Sequence, residues 1–244
     1  MVVAVNKAMI LAAGRGMRMR PLTDSIPKPL VEVLGKPLID WQLDWVAEAG
    51  IQDVVINSSY LAEKLEAHVT QRQKPQVVIS REAERLETGG GIAKALPLLG
   101  TQAFFSLNSD VIMRDAEGKS ALERLAKAWD DDTMDVFMLL QPTEKAFGYD
   151  GEGDFFVENG RLRRKGDAPS APYIFTGVQM IHPRFFKDAP NDEAFSLNVL
   201  YNRGLSDDGW MNARISYIIH EGEWLHVGDV KARDAAELNL AEIA

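Results

Sequence analysis

The chain alternates short apolar runs with amphipathic stretches. Ala8–Ala12 is a continuous apolar run that stops at a glycine-rich turn, as suits a strand buried on both faces. Residues 13–36 are too polar, and too broken by Gly and Pro, for an element interior. Pro37 sits at a first helical position. Leu38, Trp41, Trp45 and Ala49 then form one stripe, with Ile39, Leu43 and Val46 beside it, and Gly50 closes the helix. Val54–Ile56 predicts the next strand, 60–70 a helix, and Val77–Ile79 a third strand. Thr88 is expected to cap a helix through Ile92 and Leu96, and Phe104–Leu107 a fourth strand ending at Asn108-Ser109-Asp110.

This rhythm predicts an α/β layer fold with a largely parallel sheet, whose ligands sit beyond the carboxyl ends of the strands. Past residue 113 the pattern loosens. A helix is expected over 119–129, a strand at Val136–Leu140, short strand pieces over 150–180, a last strand at His220–Val227 and a closing helix at Val230–Ile243. Residues 1–244 read as a single domain, with a nucleotide half over about 1–112 and an acceptor half over about 113–244.

The loop after the first strand changes the picture from fold to chemistry. Gly14-Arg15-Gly16-Met17-Arg18-Met19-Arg20 offers backbone N–H groups to phosphate oxygens and adds three arginines. Lys28 follows, held between Pro27 and Pro29. A dinucleotide fingerprint would need glycine at Met19, and no P-loop occurs. With 27 cationic against 36 acidic residues the chain carries −9, which argues against a nucleic-acid partner. An anionic substrate therefore needs a local basic cluster. The chain has no cysteine, which removes disulfides, thiolate catalysis and thiolate metal sites. No apolar run approaches the ~18 residues of a membrane span, and a cytoplasmic location is expected.

Leu11-Ala12-Ala13-Gly14-x-Gly16-x-Arg18-Met19-x-Pro21-Leu22-Thr23 with Pro27-Lys28-Pro29-Leu30 resembles the signature of the sugar-1-phosphate nucleotidylyltransferases. Leu86-Glu87-Thr88-Gly89-Gly90-Gly91-Ile92 is similar to the base-binding segment of the family's N-acetylmuramate-1-phosphate uridylyltransferase branch. The resemblance implies a Rossmann-like three-layer sandwich with a mostly parallel, mixed central sheet. It implies transfer of a nucleotidyl group from UTP to N-acetylmuramate 1-phosphate in peptidoglycan recycling, with Mg²⁺, or Mn²⁺ in its place. It covers nearly the whole chain, so no appended acyltransferase or repeat domain is expected. The alternatives are another NTP with glucose or mannose phosphate, and a non-catalytic nucleotide-sugar binder.

By the same resemblance, Ala12, Ala13, Gly14, Gly16, Met17, Arg18, Lys28, Glu87, Gly89, Gly90 and Asn108 face the nucleotide. Three glycines at a helix start are costly, which suggests something packed on the backbone there, and a flat base fits. Arg18, Lys28 and Asp110 carry catalysis, with Asp110, at a strand end, as first metal ligand. The family's second ligand lies in a Trp-x-Asp-Val-Gly pattern. Here the segment reads Trp224-Leu225-His226-Val227-Gly228-Asp229, so His226 stands at that position. Its role is open between ligand and structure, while Asp229 is placed as a helix cap. Asn57, Asp154 and Gly177 resemble positions lining the sugar pocket. The run Arg161, Arg163, Arg164, Lys165 either meets the sugar phosphate or is a solvated face. His68, His182 and His220 share no ligand spacing and read as surface or packing residues.

Overall fold

The computed structural model describes residues 5–118, 120–190, 193–205 and 214–242. In chain order the elements are β1 (Lys7–Leu11), β2 (Glu32–Val33), β3 (Lys36–Pro37), α1 (Leu38–Glu48), β4 (Asp53–Ser58), α2 (Ala62–Val69) and β5 (Gln76–Arg81). Then come α3 (Glu87–Leu99), β6 (Phe104–Asn108), β7 (Val111–Arg114), α4 (Ala121–Ala128), β8 (Val136–Pro142), β9 (Ala146–Phe147), β10 (Phe155–Glu158), β11 (Arg161–Arg164) and β12 (Tyr173–Ile181). The chain closes with α5 (Asn198–Leu205), β13 (Ile215–Ile219), β14 (Glu223–His226) and α6 (Val230–Ala241).

The main sheet runs β13-β8-β12-β6-β1-β4-β5, with the β10–β11 hairpin attached to β12. Strands β1, β4, β5 and β6 are parallel, and β12 is antiparallel to both β6 and β8. The sheet is therefore mixed, and it is continuous across the boundary expected near residue 112. Side chains alternate between its faces. Ala8, Ile10, Val54, Ile56, Phe105 and Leu107 pack with Ile39, Leu43, Leu65 and Leu125 from α1, α2 and α4. Met9, Val55 and Phe104 pack with Ile92, Ala95, Leu99 and Leu200 from α3 and α5. Strands buried on both faces read as unbroken apolar runs, which is why β1 was legible.

A smaller sheet, β7-β14-β9, stands beside the first. Ile112, Leu225 and Val227 pack against Val31, Val33, Leu38, Ala236 and Leu240, so α6 braces it from behind. The expectation of one strand over His220–Val227 is corrected here. β13 ends at Ile219 and pairs in the main sheet, and β14 starts at Glu223 in the small one. His220 lies between them, buried, with Nε2 at 3.3 Å from Glu223 O. The short pieces expected over 150–180 include one nine-residue strand, β12, broken in register between Phe175 and Gln179.

Asp135, buried before β8, accepts from the Nε groups of Arg184 and Arg214 and from Arg214 Nη2 at 2.8 Å. Burial opposes its ionisation, but the two guanidinium groups outweigh it and hold the carboxyl below the usual carboxylate range. Removing the carboxylate leaves two cations facing each other. Asp135→Ala is expected to destabilise the fold by about 3 kcal/mol, the lower end for a broken buried pair, because both arginines keep a third of their side chains exposed. Urea melts check this. The contribution is present above the unfolded carboxyl's pKa and is lost as pH falls through the lower folded value, so the mutant's deficit should shrink in acid.

Candidate active site

The chain leaves β1 at Leu11 and crosses the carboxyl edge of the sheet. The Ala12 amide donates to Asn57 Oδ1 at 2.7 Å, which pins the start of the loop to the end of β4. Gly16 has φ +63 and turns the chain into a short 3₁₀ turn, Met17–Met19, anchored by the fully buried Met19. A side chain at Gly16 would press on Lys28 Cβ and Thr23 Cγ2, both 2.9 Å away. The loop is thus folded down onto the stem of Lys28. Among the described residues the amides of Gly14, Arg15 and Gly16 donate to no protein acceptor, and Arg15 and Arg18 form no ion pair. Arg20 pairs instead with Asp24 at 3.0 Å, so the basic cluster contains two of the three expected loop arginines.

The loop walls a cleft of ≈ 390 Å³, whose far side is Asn57, Asn108, Ser109, Asp110 and Gly228. Lys28 Nζ donates to Asp110 Oδ2 at 2.7 Å, joining residues 82 apart in sequence. His226 Nε2 stands 3.8 Å from the same oxygen. Strand β14 delivers it there, because His226 pairs with Val111 and the Val227 amide donates to Asp110 O at 2.8 Å. Burial disfavours the Asp110 carboxylate, yet Lys28 and then His226 prevail and hold its pKa down. Burial, against the pull of Asp110 and with help from the Lys28 and Arg18 charges, lowers the pKa of His226. The neutral ring is the form that coordinates metals.

His226 is oriented by stacking. Its ring lies 5.7 Å from that of Trp224 at an interplanar angle of 5°. Trp224 Nε1 donates to Thr176 O at 2.8 Å. That carbonyl belongs to the irregular stretch of β12, where Gly177 has φ +82 and a side chain there would meet Asn108 Nδ2 at 2.6 Å. Asp229 is not part of this cluster. Its carboxylate accepts from the Ala232 amide at 2.8 Å and caps α6, as expected.

The glycine run has a protein neighbour packed on its open face. The amides of Gly89 and Gly90 donate to Phe195 O at 2.9 and 3.2 Å, and a side chain at Gly89 would enter the Phe195 ring. One at Gly90 would lie 2.9 Å from Glu193 O. Residues 193–197 therefore occupy the space these glycines leave, and neither glycine lines the cleft. Thr88 is also reassigned. It lies inside α3, which has no side-chain cap, and its Oγ1 accepts from the Leu197 amide at 2.9 Å. Arg85, Glu87 and Thr88 are the residues of this segment on the cleft wall. Gly89→Ala is expected to cost about 1–3 kcal/mol through overpacking against Phe195, seen as a lower melting temperature.

Sequence reasoning missed Glu82. Buried beside β5, it accepts from Asn57 Nδ2 at 2.7 Å on Oε1 and from the Leu86 amide at 2.9 Å on Oε2. Asn57 lines the cleft, but its amide oxygen and nitrogen are engaged by Ala12 and Glu82. Asp154, Lys165 and Arg164 lie at the β10–β11 hairpin, outside the ≈ 390 Å³ cleft. Asp154 Oδ2 accepts from the Phe175 amide at 2.9 Å, and Lys165 Nζ reaches Glu152 at 3.3 Å and Ala168 O at 2.8 Å.

Residues 7–238 match the nucleotidyl transferase family, nearly the whole chain. The chain belongs to that family. It is 44% identical over 241 residues to the N-acetylmuramate alpha-1-phosphate uridylyltransferase of Caulobacter vibrioides, covering 96% of this chain and 97% of that one. It is 35% identical over 228 residues to the protein of the same name from Neisseria meningitidis, covering 92% and 94%. In fold it is similar to a UTP-bound UGPase from Acinetobacter baumannii (TM-score 0.79, 19% identity, 98% and 94% covered) and to a UDP-glucose pyrophosphorylase complexed with UDP-glucose (TM-score 0.77, 18% identity, 98% and 100% covered). The Rossmann-like nucleotide-sugar transferase architecture expected from the sequence is thereby shown. The chain is an enzyme of nucleotidyl transfer.

For a nucleotidyl transferase, the donor set at Asp110 fits a divalent ion. Adjacent ligands of an octahedral Mg²⁺ lie roughly 3 Å apart, given bonds of ~2.1 Å. Asp110 Oδ2, on the cleft wall, and His226 Nε2 are 3.8 Å apart. Phosphate and water oxygens would supply the remaining positions. Among the described residues no cluster of three or more acidic, His or Cys side chains forms a self-sufficient metal cage. None of the described helices is long and apolar enough to cross a membrane.

Proposed function

We propose that this enzyme transfers UMP from UTP to N-acetylmuramate 1-phosphate, giving the UDP-sugar and pyrophosphate. On this reading it works in the cytoplasm, in peptidoglycan recycling. The observation that carries the chemistry is the Lys28–Asp110 contact beneath a loop of unengaged amides and unpaired arginines. The acceptor and nucleotide follow the names of the two full-length relatives.

The attacking group is already an anion, so no protein nucleophile and no general base are required. A phosphate oxygen of the sugar 1-phosphate forms a bond to the α-phosphorus of UTP. The bond from that phosphorus to the bridging oxygen breaks, and pyrophosphate leaves with the electron pair. The barrier is charge repulsion, about 4 kcal/mol for two unit charges at 4 Å and an effective dielectric of 20. Gly14, Gly16, Met17 and Arg18, with Ala12 and Ala13 at the entry to the loop, grip the triphosphate. Lys28 spans the phosphates where they meet. Asp110 and His226 would hold Mg²⁺, or Mn²⁺ in its place, which when bound supplies positive charge to the phosphate oxygens. Asn108 and Glu87 flank the nucleoside, while Gly89 and Gly90 shape that wall through their packing. Asn57, Asp154, Lys165 and Gly177 frame the sugar side. Catalysis is positioning plus charge stabilisation.

A panel of NTPs crossed with sugar 1-phosphates, scored by pyrophosphate release, tests this. UTP with N-acetylmuramate 1-phosphate should give the highest kcat/KM. A better pair would replace the substrate assignment, and tight binding without turnover of any pair in Mg²⁺ or Mn²⁺ would end the catalytic reading.

A further inference from the structure

Among the described residues most arginines of this acidic chain meet a carboxylate, including Arg20, Arg72, Arg114, Arg163 and Arg184. Arg164 does not. It is partly buried, with Nε donating to Asn202 Oδ1 at 3.0 Å and Nη2 to Asn198 Oδ1, both neutral acceptors on α5. Its guanidinium lies 5.1 Å over the Phe155 ring and 5.8 Å from the Tyr201 ring. Nη1 has no acceptor among the described residues. Its neighbours are spent, since Arg163 pairs with Glu158 at 2.7 Å and Lys165 with Glu152 at 3.3 Å. The carboxylate near enough to be felt is Asp154, and its Oδ2 is taken by the Phe175 amide. Burial lowers the pKa of Arg164. A partly desolvated guanidinium held rigidly by neutral groups has electrostatic room for an anion that the protein does not provide.

Topology sets the hairpin that carries this cation beyond the carboxyl end of β6. β6 flanks β12 with Leu107 opposite Val178 and ends at Asn108. Toward the start of β12, the flank that β6 leaves free is taken by β10, with Phe155 opposite Tyr173, while β8 stays on the other side. Gly177 is level with Asn108, and Tyr173 lies four residues earlier in β12, about 13 Å at the usual rise of a strand. The β10–β11 hairpin thus overhangs the carboxyl end of β6, where Asn108 and Asp110 sit. A sugar whose phosphate lies at Lys28 extends from that point into the acceptor half.

The acceptor assigned under Proposed function carries a second anion, the carboxylate of the lactyl ether on its O3. A guanidinium fork matches a carboxylate bidentately. We propose that Arg164 binds this lactyl carboxylate and is the residue by which the enzyme distinguishes N-acetylmuramate 1-phosphate from N-acetylglucosamine 1-phosphate, which lacks the ether. The inference rests on the acceptor assignment above. Asn198 and Asn202 hold the fork, and Phe155 and Tyr201 keep its plane fixed.

The test compares both acceptors in the wild-type enzyme, Arg164→Gln and Arg164→Lys. In Arg164→Gln the KM for N-acetylmuramate 1-phosphate should rise about 10- to 100-fold, the range for losing a charged hydrogen-bonded pair, with kcat little changed. The KM for UTP and the rate with N-acetylglucosamine 1-phosphate should stay within about twofold. Arg164→Lys should fall between, keeping the charge and losing the fork. Equal loss for both acceptors, or an undiminished preference, overturns the inference. A second measurement needs no variant. The methyl ester of N-acetylmuramate 1-phosphate, its carboxylate neutralised, should lose its advantage over N-acetylglucosamine 1-phosphate with the wild-type enzyme, and an ester as good as the free acid overturns the proposal. A wild-type enzyme that refuses N-acetylmuramate 1-phosphate outright would instead fail the acceptor assignment itself.

Discussion

Asp110→Asn is expected to lower turnover by at least about 10³-fold while leaving the fold in place. The substitution keeps the size of the side chain at the end of β6 and removes its charge. That charge is the partner of Lys28 Nζ at 2.7 Å and lies 3.8 Å from His226 Nε2. Without it the site holds unbalanced cations, and its one carboxylate donor for a divalent ion becomes a neutral amide. Loss of a single preorganised charge contact in such a site costs about 10²–10³, and here two are lost together. Raising Mg²⁺ should not restore the rate. Pyrophosphate release across a metal titration, with circular dichroism as the check on folding, measures this. Substantial turnover at high Mg²⁺ would reduce Asp110 to a contributor to metal affinity alone.

Lys28→Met should reduce kcat by about 10²–10³, with a smaller change in the KM for UTP. Methionine retains a stem for the loop to fold onto, since Gly16 lies against the first carbons of Lys28. The lost ammonium is the part that answers charge growing between the two phosphates. An interaction made chiefly in the transition state lowers kcat, whereas one made equally with bound UTP raises KM alone. A variant with normal kcat and a raised KM would move Lys28 from the reacting centre to simple nucleotide binding. Single-turnover rates at saturating UTP separate the two cases.

Much of the site was legible because its sequence signals are local. A buried strand reads as an apolar run, and the loop after it announces itself by glycine and arginine. Lys28 is placed by its flanking prolines and Asp110 by the end of the fourth strand, and the two meet in the structure. What escaped depends on partners far away in the chain. Three glycines signal that something approaches the α3 backbone, but not that the visitor is Phe195, about a hundred residues on. Glu82 looks like one carboxylate in an acidic stretch until Asn57 and the Leu86 amide close on it. β7 and β9 are too short for periodicity to reveal, and β14 was expected only as part of a longer last strand, so the small sheet that carries His226 to Asp110 comes from pairing alone. Arg164 sat inside a basic run whose reading stayed open between the sugar phosphate and a solvated face. Its partial burial and its two asparagine partners on α5, an element the pattern did not predict, set it apart from Arg163, which is exposed and paired with Glu158.

The strut from the Ala12 amide through Asn57 and Glu82 to the Leu86 amide constrains how the enzyme can be re-engineered. The turn proposed to meet phosphates and the segment proposed to lie beside the base share one buried hydrogen-bonded joint. Gly91 belongs to it as well, because a methyl group there would lie 2.8 Å from both Asn57 Nδ2 and Glu82 Oε1. A transplant of residues 83–88 from an enzyme with another base preference would therefore fail as an isolated cassette. Positions 57, 82 and 91 have to travel with it, and divergence at any one of them among related enzymes should be matched at the other two.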